Sequence, residues 1–91
     1  MSESPWRLVV APSADRTLAR LPEKAAAPIV EFMLAPLSEN PHRVGHELRR
    51  ELEGLWSARR GPYRVVYEVD DATREIHVLR IDHRVDLYRS R

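Results

Sequence analysis

No cysteine occurs among the 91 residues, which excludes a disulfide framework and any thiolate metal site. Glycine is scarce, with three residues in all, and no glycine-rich phosphate loop, zinc ribbon or serine-nucleophile elbow is present. Long apolar runs are missing too. One of the two longest, Ala25 to Val30, stops at Glu31, far short of the roughly 20 residues of a membrane-spanning helix. The opening MSESPWRLVV lacks the basic and long apolar segments of a secretory signal. A cytoplasmic protein that makes no use of a membrane is the expectation. Charge imbalance is absent as well: the formal net charge is +1, so no global basic field argues for a nucleic-acid partner.

What is present is a chain that is 43% apolar and 32% charged, ordinary for a globular protein and too apolar for disorder. Its length allows one core, so residues 1–91 are read as a single domain. The positive charge is almost all of one kind, because Lys24 is the only lysine among fifteen basic residues. Arginine forks suit bidentate contact with phosphate, although a bias in codon usage produces the same count. Residues 46–91 carry ten arginines against nine acids, so a basic surface requires the fold to sort charges onto opposite faces.

Trp6 to Ala11 reads as a first strand with Trp6, Leu8 and Val10 on one face. Ser13 is placed to cap a short helix that carries Leu18 and Leu21 and ends at Pro22. A second helix starts there, with Glu23 in its first turn and Ile29, Val30, Met33 and Leu37 at helical spacing; Pro28 falls inside it, and Pro36 with the following SENP closes it. His42 to Glu53 is polar, contains Gly45, and reads as a loop with one helical turn. Three β segments follow, Leu55–Arg60, Tyr63–Val69 and Glu75–Asp82, joined by tight turns at Gly61-Pro62 and Asp70–Thr73. Alternation puts Tyr63, Val65, Tyr67 and Val69 on one face and Arg64, Val66 and Glu68 on the other. In the last strand it puts Ile76 and Val78 on one face and His77, Leu79 and Ile81 opposite. The expected fold is α+β, in the order β-α-α-β-β-β, with a helical hairpin on one side of a small, curved, mainly antiparallel sheet.

Arg64 is set in the middle of a strand, on the face opposite the tyrosines. It either pairs with a cross-strand acid such as Glu75 or holds an anion. His83 and Arg84 follow the last strand, and Tyr88 comes four residues after Arg84. An imidazole can exchange a proton near neutral pH, an arginine can hold a phosphate, and a tyrosine can stack on a base or position a hydroxyl. The alternative is a solvated strand end, with Tyr88 packing the tail. His42, His46 and Glu47 invite a metal reading, but Pro41 and Gly45 break the helix that reading needs and no third ligand is evident. Neither a metal nor another cofactor is expected. Arg49-Arg50 and Arg59-Arg60 are basic pairs, either solvated edges or the lining of an RNA path.

NPHRVG, LEGLWSARRGPYRVVY and IDHRVDLYR, in that order and spacing, resemble the RelE branch of the RelE/ParE toxin superfamily, over Trp6 to Arg89. The resemblance implies a RelE-like α+β toxin of a type II toxin–antitoxin module, neutralised by a cognate RelB-like antitoxin and reaching DNA only indirectly through it. In RelE-like members it further implies a metal-independent endoribonuclease acting on mRNA in the ribosomal A site. There the ribose 2′-hydroxyl attacks the adjacent phosphate, leaving a 2′,3′-cyclic phosphate and a free 5′-hydroxyl. Arg64 matches the strand arginine that holds the scissile phosphate, Arg84 a second phosphate-facing arginine and Tyr88 the C-terminal tyrosine. Arg49, Arg50, Arg59 and Arg60 would then face RNA or ribosome. Some RelE members carry lysines before the turn, where this chain has Trp56, Ser57 and Ala58. Related toxins use a glutamate and a histidine as the acid–base pair: His83 would be the histidine, and His46 or Glu47 lies near the glutamate's place. A ParE-like toxin on the same fold, which binds DNA gyrase and has no ribonuclease site, is the competing expectation; a binding module whose only target is its antitoxin is a third.

Overall fold

The computed structural model describes residues 6–48 and 54–83. The elements run β1 (Arg7–Val10), α1 (Pro12–Arg20), α2 (Glu23–Phe32), a π-helical turn (Met33–Leu37), the single-turn α3 (Pro41–Val44), β2 (His46–Glu47), β3 (Leu55–Arg60), β4 (Tyr63–Asp70) and β5 (Glu75–His83). The α+β class and the order β-α-α-β-β-β therefore hold; α3 is the helical turn expected in the segment read as a loop, and β2 is added to it.

The helices start and stop for local reasons. Pro12 occupies the first turn of α1, where a missing N–H costs nothing. Ala11 is then the residue at the cap, and Ser13 lies inside the helix, its carbonyl accepting from the Thr17 hydroxyl at 3.1 Å. The capping role expected of Ser13 is not used. The run that begins with α2 passes Pro36 and closes within the SENP stretch. A proline ring clashes with the carbonyl four residues back in α geometry, and the backbone here widens into the π turn instead. The Ser38 hydroxyl donates to the Met33 carbonyl at 2.6 Å, five residues back.

The five strands form one sheet in the order β1-β5-β4-β3-β2. Every neighbouring pair is antiparallel except β1–β5, which is parallel, so the first strand returns to the sheet beside the last. The core lies between the helices and one face of this sheet. Ala14, Ile29, Phe32, Met33 and Leu37 meet Ala58, Val65, Tyr67, Ile76, Val78 and Ile81, all buried.

A bulge corrects the alternation read along β5. Val66 pairs with Arg80, whereas the next residue, Tyr67, pairs with Val78, so Leu79 is an extra residue without an opposite number. Beyond it the facing inverts. Ile81 joins Ile76 and Val78 in the core, rather than sharing a face with His77 and Leu79. Arg80 and Asp82 turn to the side away from the described helices.

Candidate functional site

The sheet face that carries none of the described helices is organised in cross-strand rows. One row is Arg59 on β3, Arg64 on β4 and Asp82 on β5; the next is His46 on β2, Ser57 on β3, Val66 on β4 and Arg80 on β5. Residues opposite one another on adjacent strands have Cβ atoms about 5 Å apart. Arg64 is the second residue of β4, next to the Gly61-Pro62 turn rather than in mid-strand. It is half-buried and makes no ion pair or side-chain hydrogen bond with any described residue. Its direct neighbour across β3–β4 is another arginine, Arg59, which is exposed. Like charges set opposite on a sheet destabilise it, and no described carboxylate forms an ion pair with either arginine.

Two acids could have answered Arg64. Glu75, the cross-strand partner considered from sequence, stands opposite Asp70 at the other end of the strands. There it contacts His77 at 2.9 Å and Arg7 at 3.7 Å. Asp82 does stand opposite Arg64, but its Oδ2 accepts from Arg80 Nε at 2.8 Å. Arg80 is the residue that sequence reasoning missed. Strict alternation after Val78 sends it to the core, and only the bulge brings it beside Arg64.

The remaining site candidates separate. Arg60, next to Arg59, faces the helices: its guanidinium lies 3.8 Å above the centre of the Phe32 ring, and an Nη donates to the Arg59 carbonyl at 2.8 Å. His83 is the last residue of β5 and sits opposite Tyr63, whose ring it meets edge-on at 4.9 Å on the helix side. It borders a cavity of about 400 Å³ that Thr17 and Arg20 also line. Arg64 and His83 thus lie on opposite faces. His46, exposed and opposite Ser57 in the row next to Arg64, shares the Arg64 face, as does His77 farther along β5, while Glu47, opposite Trp56, is turned the other way. Arg49, Arg50, Arg84 and Tyr88 lie outside the described residues.

The NPHRVG stretch is structural support. Pro41 starts α3 and the helix ends at Val44, so His42 and His46 fall on different elements and do not form a helical pair of ligands. Among the described residues no group of three or more His, Cys, Asp or Glu is placed to hold a metal ion. The His42 ring is instead set edge-on between Trp6 (5.5 Å) and Trp56 (5.4 Å), with its Nε2 3.1 Å from Asp71. Trp56 stacks in turn on Tyr67. Tyr67 is fully buried, its hydroxyl donates to the Pro41 carbonyl at 2.7 Å, and burial pushes its pKa up to about 12. This column fastens α3 and β2, and hence His46, to the sheet.

Known proteins share both sequence and shape with this chain. The family profile for the ParE toxin of the type II toxin–antitoxin system, parDE, matches residues 8–88. Toxin RelE of Mycobacterium tuberculosis is 49% identical over 87 residues, 96% of this chain and 90% of that protein. Toxin RelG of the same organism is 47% identical over 85 residues, 93% of this chain and 98% of that protein. The crystal structure of the toxin–antitoxin complex RelBE2 from Mycobacterium tuberculosis contains a chain that superimposes with a TM-score of 0.84 at 45% identity, covering 93% of this chain and 98% of that one.

Proposed function

Because the chain belongs to the ParE toxin family of type II toxin–antitoxin systems and to its RelE-like branch, we propose that this toxin is a metal-independent, ribosome-dependent mRNA endoribonuclease acting in the cytoplasm. The observation that carries the proposal is the Arg59–Arg64 pair, two guanidinium groups set opposite each other on the face away from the described helices with no described carboxylate between them. A phosphate diester placed there relieves their repulsion and accepts charge-assisted hydrogen bonds from both.

The chemistry follows from what that face offers. The ribose 2′-hydroxyl loses its proton and attacks the neighbouring phosphorus. The P–O5′ bond breaks, the 5′-oxygen takes a proton, and a 2′,3′-cyclic phosphate remains. Negative charge builds on the non-bridging oxygens in the phosphorane, and Arg64 with Arg59 stabilises it where it develops. His46 shares this face and is our candidate for one of the two proton transfers. The placement of His83 on the helix side supports a lesser role for it: His83→Ala retains cleavage that His46→Ala loses. Arg84 and Tyr88 complete the site as a second phosphate-facing cation and a stacking ring. A RelB-like antitoxin is the proposed partner, covering the arginine face with an acidic segment.

Primer extension on a message translated in a purified system tests this. Breaks inside A-site codons that need ribosomes and disappear with Arg64→Ala are the expected result. An uncut message, together with inhibition of gyrase supercoiling, identifies the ParE-like activity instead.

A further inference from the structure

The Arg80–Asp82 pair stands in an unusual relation to the site. Asp82 faces Arg64 directly across β4–β5, yet its carboxylate is taken by Arg80, two residues back on its own strand. Three guanidinium groups, Arg59, Arg64 and Arg80, therefore share one face with a single acid in their two rows. The bond to Asp82 uses only Nε of Arg80. The other four N–H donors of that guanidinium meet no described partner, and the side chain is 52% exposed. Rows two residues apart along a strand are separated by about 7 Å, so Arg80 lies beside the Arg59–Arg64 position without overlapping it. It is also level with Ser57, one of the positions before the turn where a basic residue is missing from this chain.

We propose that Arg80 is a ligand for a second RNA backbone phosphate, next to the one held by Arg59 and Arg64, and that Asp82 is a built-in stand-in for that phosphate, holding the Arg80 fork in place until RNA takes it over. The inference rests on the ribonuclease reading and adds to it a cation contributed by β5. In the free protein the pair keeps the arginine face from carrying a third uncompensated charge. When RNA binds, the phosphate takes the open N–H donors.

The test is the affinity of the full-length toxin for ribosomes carrying a message whose A-site codon is 2′-O-methylated and so cannot be cut, measured across a range of salt concentrations. Single-turnover cleavage of the unmodified message runs in parallel. Arg80→Ala binds about tenfold more weakly, the scale of a lost charge-assisted contact, and its dependence of log K on log salt is shallower by about 0.7, as for one single-strand phosphate contact removed. Arg80→Lys keeps the slope of the wild type. Asp82→Asn binds several-fold more tightly, since the phosphate on the open N–H donors no longer faces a carboxylate held by the same guanidinium. A salt slope and affinity left unchanged by Arg80→Ala, in a toxin whose cleavage still needs Arg64, overturns this inference alone, and so does an Asp82→Asn protein that binds more weakly. A wild type that cuts no message overturns the ribonuclease reading and this inference with it.

Discussion

Replacing Gly45 by alanine probes the joint between α3 and the sheet. The backbone at Gly45 is extended, with φ −136°, so an alanine fits the dihedral angles. Judged by chain entropy alone, Gly45→Ala stabilises by about 0.4–1 kcal/mol. The surroundings reverse the sign. A Cβ added at Gly45 lies 2.6 Å from the Ser57 carbonyl oxygen and against the Tyr67 hydroxyl. Neither neighbour can retreat: Ser57 is buried in the middle of β3, and Tyr67 is fully buried and tied to the Pro41 carbonyl. Gly45 must move instead, carrying α3 and β2 with it. Overpacking of this kind costs about 1–3 kcal/mol, and loss of the Tyr67–Pro41 hydrogen bond adds about 1 kcal/mol. A total of about 2–4 kcal/mol corresponds to a fall in Tm on the order of 10–25 °C for a domain of this size. Thermal and urea unfolding followed by far-UV circular dichroism measures it. In a Tyr67→Phe background the hydroxyl half of the clash is gone, and the cost of Gly45→Ala should drop by about 1 kcal/mol. A Gly45→Ala protein within about 0.5 kcal/mol of wild type, or more stable, refutes the reasoning.

Two further outcomes follow from the same packing. The Tyr67 hydroxyl stays protonated in the folded protein up to about pH 12, whereas it ionises near pH 10 when unfolded. A raised pKa contributes stability that is fully present below pH 10 and is lost as pH rises from 10 to 12. The loss amounts to about 2–3 kcal/mol, and Tyr67→Phe should lack this part of the alkaline decline when urea midpoints are compared from pH 8 to 12. Arg59 and Arg60, adjacent in sequence, should behave differently. Arg60→Ala removes the cation over Phe32 and lowers stability by about 1 kcal/mol. Arg59→Ala should leave the unfolding midpoint unchanged or slightly raised, because it removes a like-charge neighbour of Arg64, and weaken binding to programmed ribosomes; equal behaviour of the two variants would show that their side chains do not divide between the faces.

Much of the fold was legible one segment at a time. Gly61-Pro62 and Asp70–Thr73 announced their turns, Pro22 marked the end of the first helix, and period-two runs located β3, β4 and β5. These are properties of a short stretch and its own backbone, so a single sequence displays them. Arg64 could be placed on the face opposite the tyrosines for the same reason. The split between Arg59 and Arg60 was legible too, since neighbours on a regular strand face opposite ways; reading them as a basic pair hid it.

What only the tertiary structure decided concerns relations between strands. A bulge is one residue too many relative to a partner, and nothing within VLRIDH counts the residues of β4. The one-residue slip at Leu79 moves Ile81 into the core and sends Arg80 and Asp82 to the arginine face. The two-residue strand β2 exists because Ser57 and Trp56 offer it an edge, and that pairing puts His46, rather than His83, on the face of Arg64. Local chemistry in the sequence determined the elements and the kinds of side chain available. The register between strands far apart in the chain decided which of those side chains meet, because the face a residue occupies depends on how many residues its partner strand has used to reach the same point.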